Sequence, residues 1–174
     1  SDLSAAVTGV LLAMNLPVSI PLWQAVFGAL VAIVAVKGLF GGIGKNFANP
    51  AITARIVMFL AFSKSMTAWV FPDAVSTATP LAMMASGESV DYLTLLLGNH
   101  GGCLGETSAL ALLIGFAYLL IRGVISWHTP VCFVGTVFVM SLILGQDAVG
   151  QILSGGLMLG AIFMATDYST TPST

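Results

Sequence analysis

Charge is what this chain most lacks: Asp, Glu, Lys and Arg together make up 7% of its 174 residues, against roughly 25% in an ordinary soluble domain. Hydrophobic residues make up 57%, and mean hydropathy is +1.02. The composition is that of a membrane protein. A net charge of −2, with no run of like charge, excludes the electrostatic footprint of a nucleic-acid binder and leaves no charged interaction tail. Cysteine is almost missing as well. Cys103 and Cys132 form no C-x-x-C pair, so neither a disulfide framework nor a metal site is expected, and both read as small buried residues. The chain begins at Ser1 without a basic n-region or cleavage site, which predicts no signal peptide and suggests a piece of something longer.

An unbroken crossing-length apolar run is missing from the first part of the chain. No charge falls between Asp2 and Lys37, yet Pro17 and Pro21 divide that stretch into Leu3 to Leu16 and Pro21 to Val36. A straight crossing needs about 20 apolar residues, so the first segment is expected to be tilted, interrupted or continued upstream. Lys37, Lys45 and Arg55 then cluster around a glycine-rich turn, Gly38 to Asn49. The positive-inside rule puts that turn in the cytoplasm. Asn49-Pro50 predicts a helix N-cap followed by proline at the first helical position, opening a helix to about Ser63 that is too short to span alone. Short helices after glycine-rich turns point to a ligand site within a membrane, because their free ends supply polar groups that lipid cannot. Arg55, in the apolar length of that helix, must face protein, water or an anionic ligand.

From Lys64 to Glu106 the acids Asp73, Glu88 and Asp91 dominate, which predicts the outer side, with Trp69 in an interfacial belt. Leu97 to Ser108 is a second glycine-rich stretch leading into a helix. His100 there reads as a surface or loop histidine, and Glu106 as a first-turn partner of the helix dipole. A span is expected from Ser108 to Ile121, with Arg122, Trp127 and His128 at a cytoplasmic turn. Thr129-Pro130 then starts a helix to about Gly145, Asp147 lies outside, and Ile152 to Ala165 runs inward. The fold class expected is an all-α polytopic membrane protein. It has about six membrane segments, some short or discontinuous, as in inverted-repeat transporter-like folds, within one membrane-embedded domain, 1–174.

A polar island, Asp73-Ala74-Val75-Ser76-Thr77-Ala78-Thr79-Pro80-Leu81, interrupts the apolar background. Thr79 before Pro80 is a candidate N-cap of a short helix, and a phosphate ester on Thr79 would face free backbone N–H donors. The plain alternative is a Thr-Pro cap and nothing more.

The pattern Asp-x-x-Ser-x-Ala-Thr resembles the site at which a flavin transferase attaches FMN to threonine, through a phosphoester, in the RnfD components of Rnf complexes and the NqrB components of sodium-translocating NADH:quinone reductases. Thr79 matches the attachment residue, with Asp73, Ser76 and Ala78 as recognition positions. Thr77 stands where the family pattern has glycine. The likeness extends to Val7–Pro17, to Leu22–Ala51 with Phe-Gly-Gly-x-Gly-x-Asn-x-x-Asn-Pro-Ala, to Leu97–Leu112 with Gly-Glu-Thr-Ser, to Ile125–Thr136, and to Ser154–Pro172 with Met-Ala-Thr-Asp. The last and the Gly-Glu-Thr-Ser stretch bring it nearer the Rnf member, as the middle portion of a longer polypeptide.

The resemblance implies a flavin-carrying subunit of an ion-translocating oxidoreductase in the bacterial inner membrane, not catalytic alone, with covalent FMN on Thr79 toward the outer face. It also implies non-covalent riboflavin lined by Asn46, Asn49 and Trp69. Implied partners are the other Rnf complex subunits, the flavin transferase and the lipid bilayer. Two asparagines can match the donors and acceptors of an isoalloxazine edge, and a tryptophan can stack on its face. The rival reading is a channel or small-solute permease of urea-transporter-like fold, to which short helices and an Asn-Pro-Ala turn are also suited, since fold alone does not choose. A purely structural scaffold would leave the threonine pattern unexplained.

Overall fold

A computed structural model describes residues 3–39, 45–46, 48–69 and 79–167. Asp73, Ser76, Thr77 and Ala78 lie outside the described residues, as do Gly41 to Gly44. Among the described residues the regular elements are all helical, and no helix is long and apolar enough to cross a membrane. The chain divides into two compact units, Ser1–Ala68 with Asp167–Thr174, and Trp69–Thr166.

The first unit holds α1 (Ser4–Met14), α2 (Leu22–Leu30) with a π-helical continuation (Val31–Gly38), α3 (Pro50–Ala61) and α4 (Ser63–Met66). Asn15 ends α1, its Nδ2 donating to Leu11 O at 2.7 Å. Pro21, extended at φ −61° and ψ 138°, precedes α2. Gln24, Gly28, Ala32 and Val36 recur every four residues and are buried, which is the spacing of one helix face. Gly28 is needed in that stripe because a Cβ there would collide with the Met58 thioether of α3. Near the end of α3, Phe62 leaves helical geometry at φ −131°, ψ 45°. Its ring meets Trp23 edge-on at 5.2 Å and Phe27 at 5.5 Å. The helix expected from Pro50 to about Ser63 is thus present, and it closes on an aromatic corner.

The second unit holds α5 (Pro80–Ala85), α6 (Tyr92–Leu97), α7 (Ala109–Ile121), α8 (His128–Ile143), α9 (Ala148–Leu153) and α10 (Leu157–Leu159), the last continued as π-helix over Gly160–Met164. Side-chain caps start four of these. Thr79, Asp91, Ser108 and Asp147 accept from backbone N–H groups two or three residues on, as Ser, Thr and Asp do at N-caps. The single segment expected from Ile152 to Ala165 is broken. Ser154 is extended and Gly155 turns left-handed at φ +66°, where a Cβ would also approach Leu81 Cδ1 at 2.9 Å. Packing of the Phe163 ring against Gly115 of α7 then fixes the continuation of α10.

Candidate cofactor site

Thr79 is half-buried at the start of α5, in extended backbone at φ −68° and ψ 155°, because a residue before proline is kept out of the helical region. Its Oγ1 accepts from Ala82 N at 3.3 Å. That is one long bond. Pro80 has no N–H to offer, so with respect to the described residues the hydroxyl oxygen keeps a lone pair and its own proton. The cap expected from the sequence is present, and the oxygen it uses is lightly held.

Asn49 also precedes proline and caps a helix, but its Oδ1 takes two amides, Ala51 N at 3.0 Å and Ile52 N at 3.2 Å. Thr53 Oγ1 adds a bond to the Asn49 carbonyl at 3.0 Å. The side-chain oxygen of Asn49 is therefore committed to the fold. Three residues earlier the opposite holds: Asn46 Oδ1 is buried and no hydrogen-bond donor among the described residues reaches it. An acceptor left so costs about 1–3 kcal/mol. Asn46 and Asn49 belong to the first unit, Trp69 (half-buried) and Thr79 to the second.

Arg55, a charge in an apolar helix, donates from Nη1 to Asn15 Oδ1 at 2.7 Å. It faces protein, tying α3 to α1. Of two expectations about the second glycine-rich turn, one holds in part and one is corrected. His100 is 6% exposed, so it is a loop residue but not a surface one. Glu106 is not in the first turn of α7, since Ser108 is the cap. Its Oε1 instead accepts from Cys103 N at 3.0 Å, and Cys103 O receives Glu106 N at 3.2 Å. The glutamate therefore holds the loop closed. Of the two cysteines expected to be buried, Cys103 is and Cys132 is exposed, because Cys132 lies on a face of α8 that no other element covers among the described residues.

Beyond α5, an open groove of about 700 Å³ is lined by residues including Met84, Glu88, Tyr92, Gln146, Asp147 and Gln151. Tyr92 OH donates to Asp147 Oδ2 at 2.9 Å. That hydrogen bond, with partial loss of water and the carboxylate's negative charge, raises the Tyr92 pKa above its ordinary 10.0. Sequence reading missed Gln24 and the burial of His100, whose Oε1 and Nε2 respectively have no partner among the described residues. Gln24 had a signal, as the amide side chain in an apolar helix. No group of three His, Cys, Asp or Glu among the described residues could hold a metal ion.

The described elements are all helical, and the 57% hydrophobic composition is that of the membrane class. A model of the NQR2, RnfD, RnfE family matches residues 1–174, and the chain belongs to that family. Over its whole length and 57% of the relative's, it is 48% identical to the D component of the Na(+)-translocating ferredoxin:NAD(+) oxidoreductase complex of Acetobacterium woodii. Identity to the D component of the proton-translocating ferredoxin:NAD(+) oxidoreductase complex of Clostridium ljungdahlii is 36%, over the whole chain and 60% of that relative. The B component of the Na(+)-translocating NADH-quinone reductase of Azotobacter vinelandii is 37% identical over 92% of this chain and 45% of its own length. The chain thus spans about half the length of these relatives.

Proposed function

We propose that this chain is part of the D component of an Rnf-type complex, which couples electron transfer between ferredoxin and NAD to ion translocation. We propose further that Thr79 carries FMN as a phosphoester and that Asn46 helps hold a non-covalent riboflavin. Family membership and 48% identity to a relative of that name support the first statement. The observation that carries the second is the Thr79 hydroxyl, half-buried and engaged by one 3.3 Å bond, within the Asp-x-x-Ser-x-Ala-Thr pattern. Esterification by the flavin transferase would break the phosphoanhydride of a flavin-dinucleotide donor, release the nucleoside monophosphate and put phosphorus in place of the hydroxyl proton, and the ester oxygen can still face Ala82 N.

When bound, the flavins supply the electron-carrying chemistry. Asn46 suits riboflavin because an orphaned acceptor matches a flavin imide N–H or ribityl hydroxyl. Asn49 suits it less, its oxygen being spent on α3. The relatives named above are named for different ions, so the ion is left unassigned.

The same reading makes the chain multi-pass in the bacterial inner membrane, with about six segments built from short and interrupted helices. Charge asymmetry puts Lys37, Lys45, Arg55 and Arg122 at or near the inside, and Asp73, Thr79, Glu88, Asp91 and Asp147 outside. Protein made with its flavin transferase should give an ultraviolet-fluorescent band on a denaturing gel, absent in Thr79→Ala. Retention in that variant, with loss in Thr77→Ala, moves the site to Thr77. Impermeant thiol labelling of single cysteines, in a background lacking Cys103 and Cys132, should mark position 88 and spare position 45 in intact cells. The reverse result inverts the topology.

A further inference from the structure

The strongest unexplained polar atom in the second unit is Nε2 of His100. The side chain is 6% exposed, and no partner reaches Nε2 among the described residues. Its other nitrogen, Nδ1, lies 3.3 Å from Gly101 O. A carbonyl only accepts, so the tautomer with its proton on Nδ1 satisfies that contact and presents a lone pair at Nε2. The loop therefore holds out a buried acceptor and lacks the donor for it.

The loop is built to keep that acceptor in place. Gly98 ends α6 at φ +92°, and a Cβ there would fall 2.7 Å from Thr107 O and 2.9 Å from Ser108 Cα, so the two ends of the loop touch backbone to backbone. Only glycine permits that approach. Inside, the Glu106 carboxylate holds Cys103 N, and Cys103 is fully buried. A loop closed at its ends and tied inside, with a buried acceptor still unmet, has the form of a preorganised binding group.

Thr79 lies in the same unit. The helix it caps, α5, packs against α9, and α9 packs against α6, which leads into the loop. We infer that His100 is a flavin-binding residue, its Nε2 accepting a hydrogen bond from the ring imide N–H of the flavin carried on Thr79. The imide is the donor at the ring edge remote from the phosphate tether, so the ester and this bond would fix the cofactor at both ends. No proton is transferred; one neutral N–H···N bond forms. The inference rests on Thr79 as the flavin carrier.

The test uses the assembled complex, matured with its flavin transferase, carrying wild-type chain, His100→Leu or His100→Gln. All three should give the fluorescent gel band at equal intensity per protein. Reduced-minus-oxidised infrared spectra in H2O and D2O should show the ring carbonyl and imide bands displaced in His100→Leu. The reduced-to-oxidised ratio of the covalent flavin at a fixed potential should change at least threefold. His100→Gln, whose amide oxygen can accept the same bond, should stay nearer wild type. Unchanged ring bands in His100→Leu, with a full gel band, overturn the inference and leave the attachment standing; water or a ribityl hydroxyl is then the donor to Nε2. A wild-type complex without a band instead sinks the Thr79 reading. If the Leu variant does not assemble, the wild-type bands decide: positions equal to those of FMN in water overturn the inference.

Discussion

Asn49-Pro50 and Thr79-Pro80 are the same signal in sequence and are hydrogen-bonded differently in the structure. Both cap residues are extended, at ψ 121° and 155°, because proline follows. Both accept from amides in the first turn. Asn49 gives its oxygen to two N–H groups and starts a twelve-residue helix whose first two residues are buried. Thr79 gives its oxygen to one N–H, at 3.3 Å, on a helix of six residues. A cap whose oxygen already holds two amides at the start of a twelve-residue helix has no chemistry to spare, whereas one holding a single long bond on a short helix can surrender its proton and keep its place. The difference favours structure for Asn49 and modification for Thr79.

The sharpest way to break that comparison is to truncate both caps. Thr79→Ala is expected to abolish covalent flavin fluorescence entirely, with a stability loss at the low end of the cap range. Asn49→Ala is expected to leave the fluorescence intact and to cost about 1 kcal/mol, the usual value for a cap, read as a fall in the thermal midpoint of the purified complex. Equal fluorescence in both variants would mean that the Thr79 cap, too, is only structural.

The next effect concerns non-covalent flavin. In an Asn46→Leu, Asn49→Leu double variant the ratio of acid-extractable riboflavin to covalent FMN should fall steeply, and Asn46→Leu alone should account for most of it. Losing a buried acceptor worth about 2 kcal/mol weakens binding roughly thirtyfold. Asn49→Asp, which retains a capping oxygen, should hold its full ratio. A ratio that drops in Asn49→Asp and survives Asn46→Leu would reverse the two roles.

Caps and turns are legible in the sequence because proline and glycine act locally: Asn49-Pro50, Thr79-Pro80 and the approach to Ser108 all fall where residue type demands. What cannot be read there is set by contacts distant along the chain. Glu106 has the spacing of a helix-dipole partner, yet Ser108 takes the cap and the carboxylate turns back to Cys103 N. His100 has the setting of a surface or loop histidine, and the folded loop leaves it only 6% exposed. The run from Ile152 to Ala165 carries Ser154 before its glycine pair, but that does not foretell the packing of Leu81 where a Cβ at Gly155 would stand. No residue pattern marks the π-helical stretch Val31–Gly38. At the candidate site, the sequence points to Asn46 and Asn49 together. Only the hydrogen bonds separate them.

Arg55 extends the comparison to a charge. It sits on the helix that Asn49 caps, and its Nη1 bond to Asn15 Oδ1 at 2.7 Å places a guanidinium against an amide that is itself 3% exposed. Hydrogen bonds to charged groups are worth about 1.5–3 kcal/mol, and Arg55 is only half-buried, so the lower figure applies. Asn15→Leu should therefore destabilise the first unit by about 1.5 kcal/mol while leaving Thr79 fluorescence unchanged. Asn15→Asp, which keeps an acceptor facing the cation, should recover most of the loss. If Asn15→Leu is neutral in thermal denaturation, the bond is a surface contact and the anchoring role of α3 is lost.

Asp147 is the cap that does both jobs, and it predicts the smallest effect. Its Oδ1 accepts from Gly150 N at 3.1 Å, while Oδ2 receives the Tyr92 hydroxyl at 2.9 Å. One oxygen starts α9 and the other ties it to α6. The Tyr92 pKa is raised above 10.0, first by that hydrogen bond and then by desolvation and the nearby negative charge. A phenol whose folded pKa exceeds its unfolded value binds its proton more tightly when folded. Its contribution to stability is fully present below pH 10 and is lost as pH rises through the raised value. Because the tyrosine is solvent-exposed, the effect on stability is small, and the titration itself is the better readout. The Tyr92 phenolate absorbance, taken as wild type minus Tyr92→Phe, should have its midpoint above 10 and fall back toward 10 in Asp147→Asn. Asparagine still caps a helix, so that variant should leave α9 in place and separate the two oxygens' roles. A midpoint that does not move would mean that the Tyr92–Asp147 bond is absent in the membrane-bound complex, and that Asp147, like Asn49, serves only as a cap.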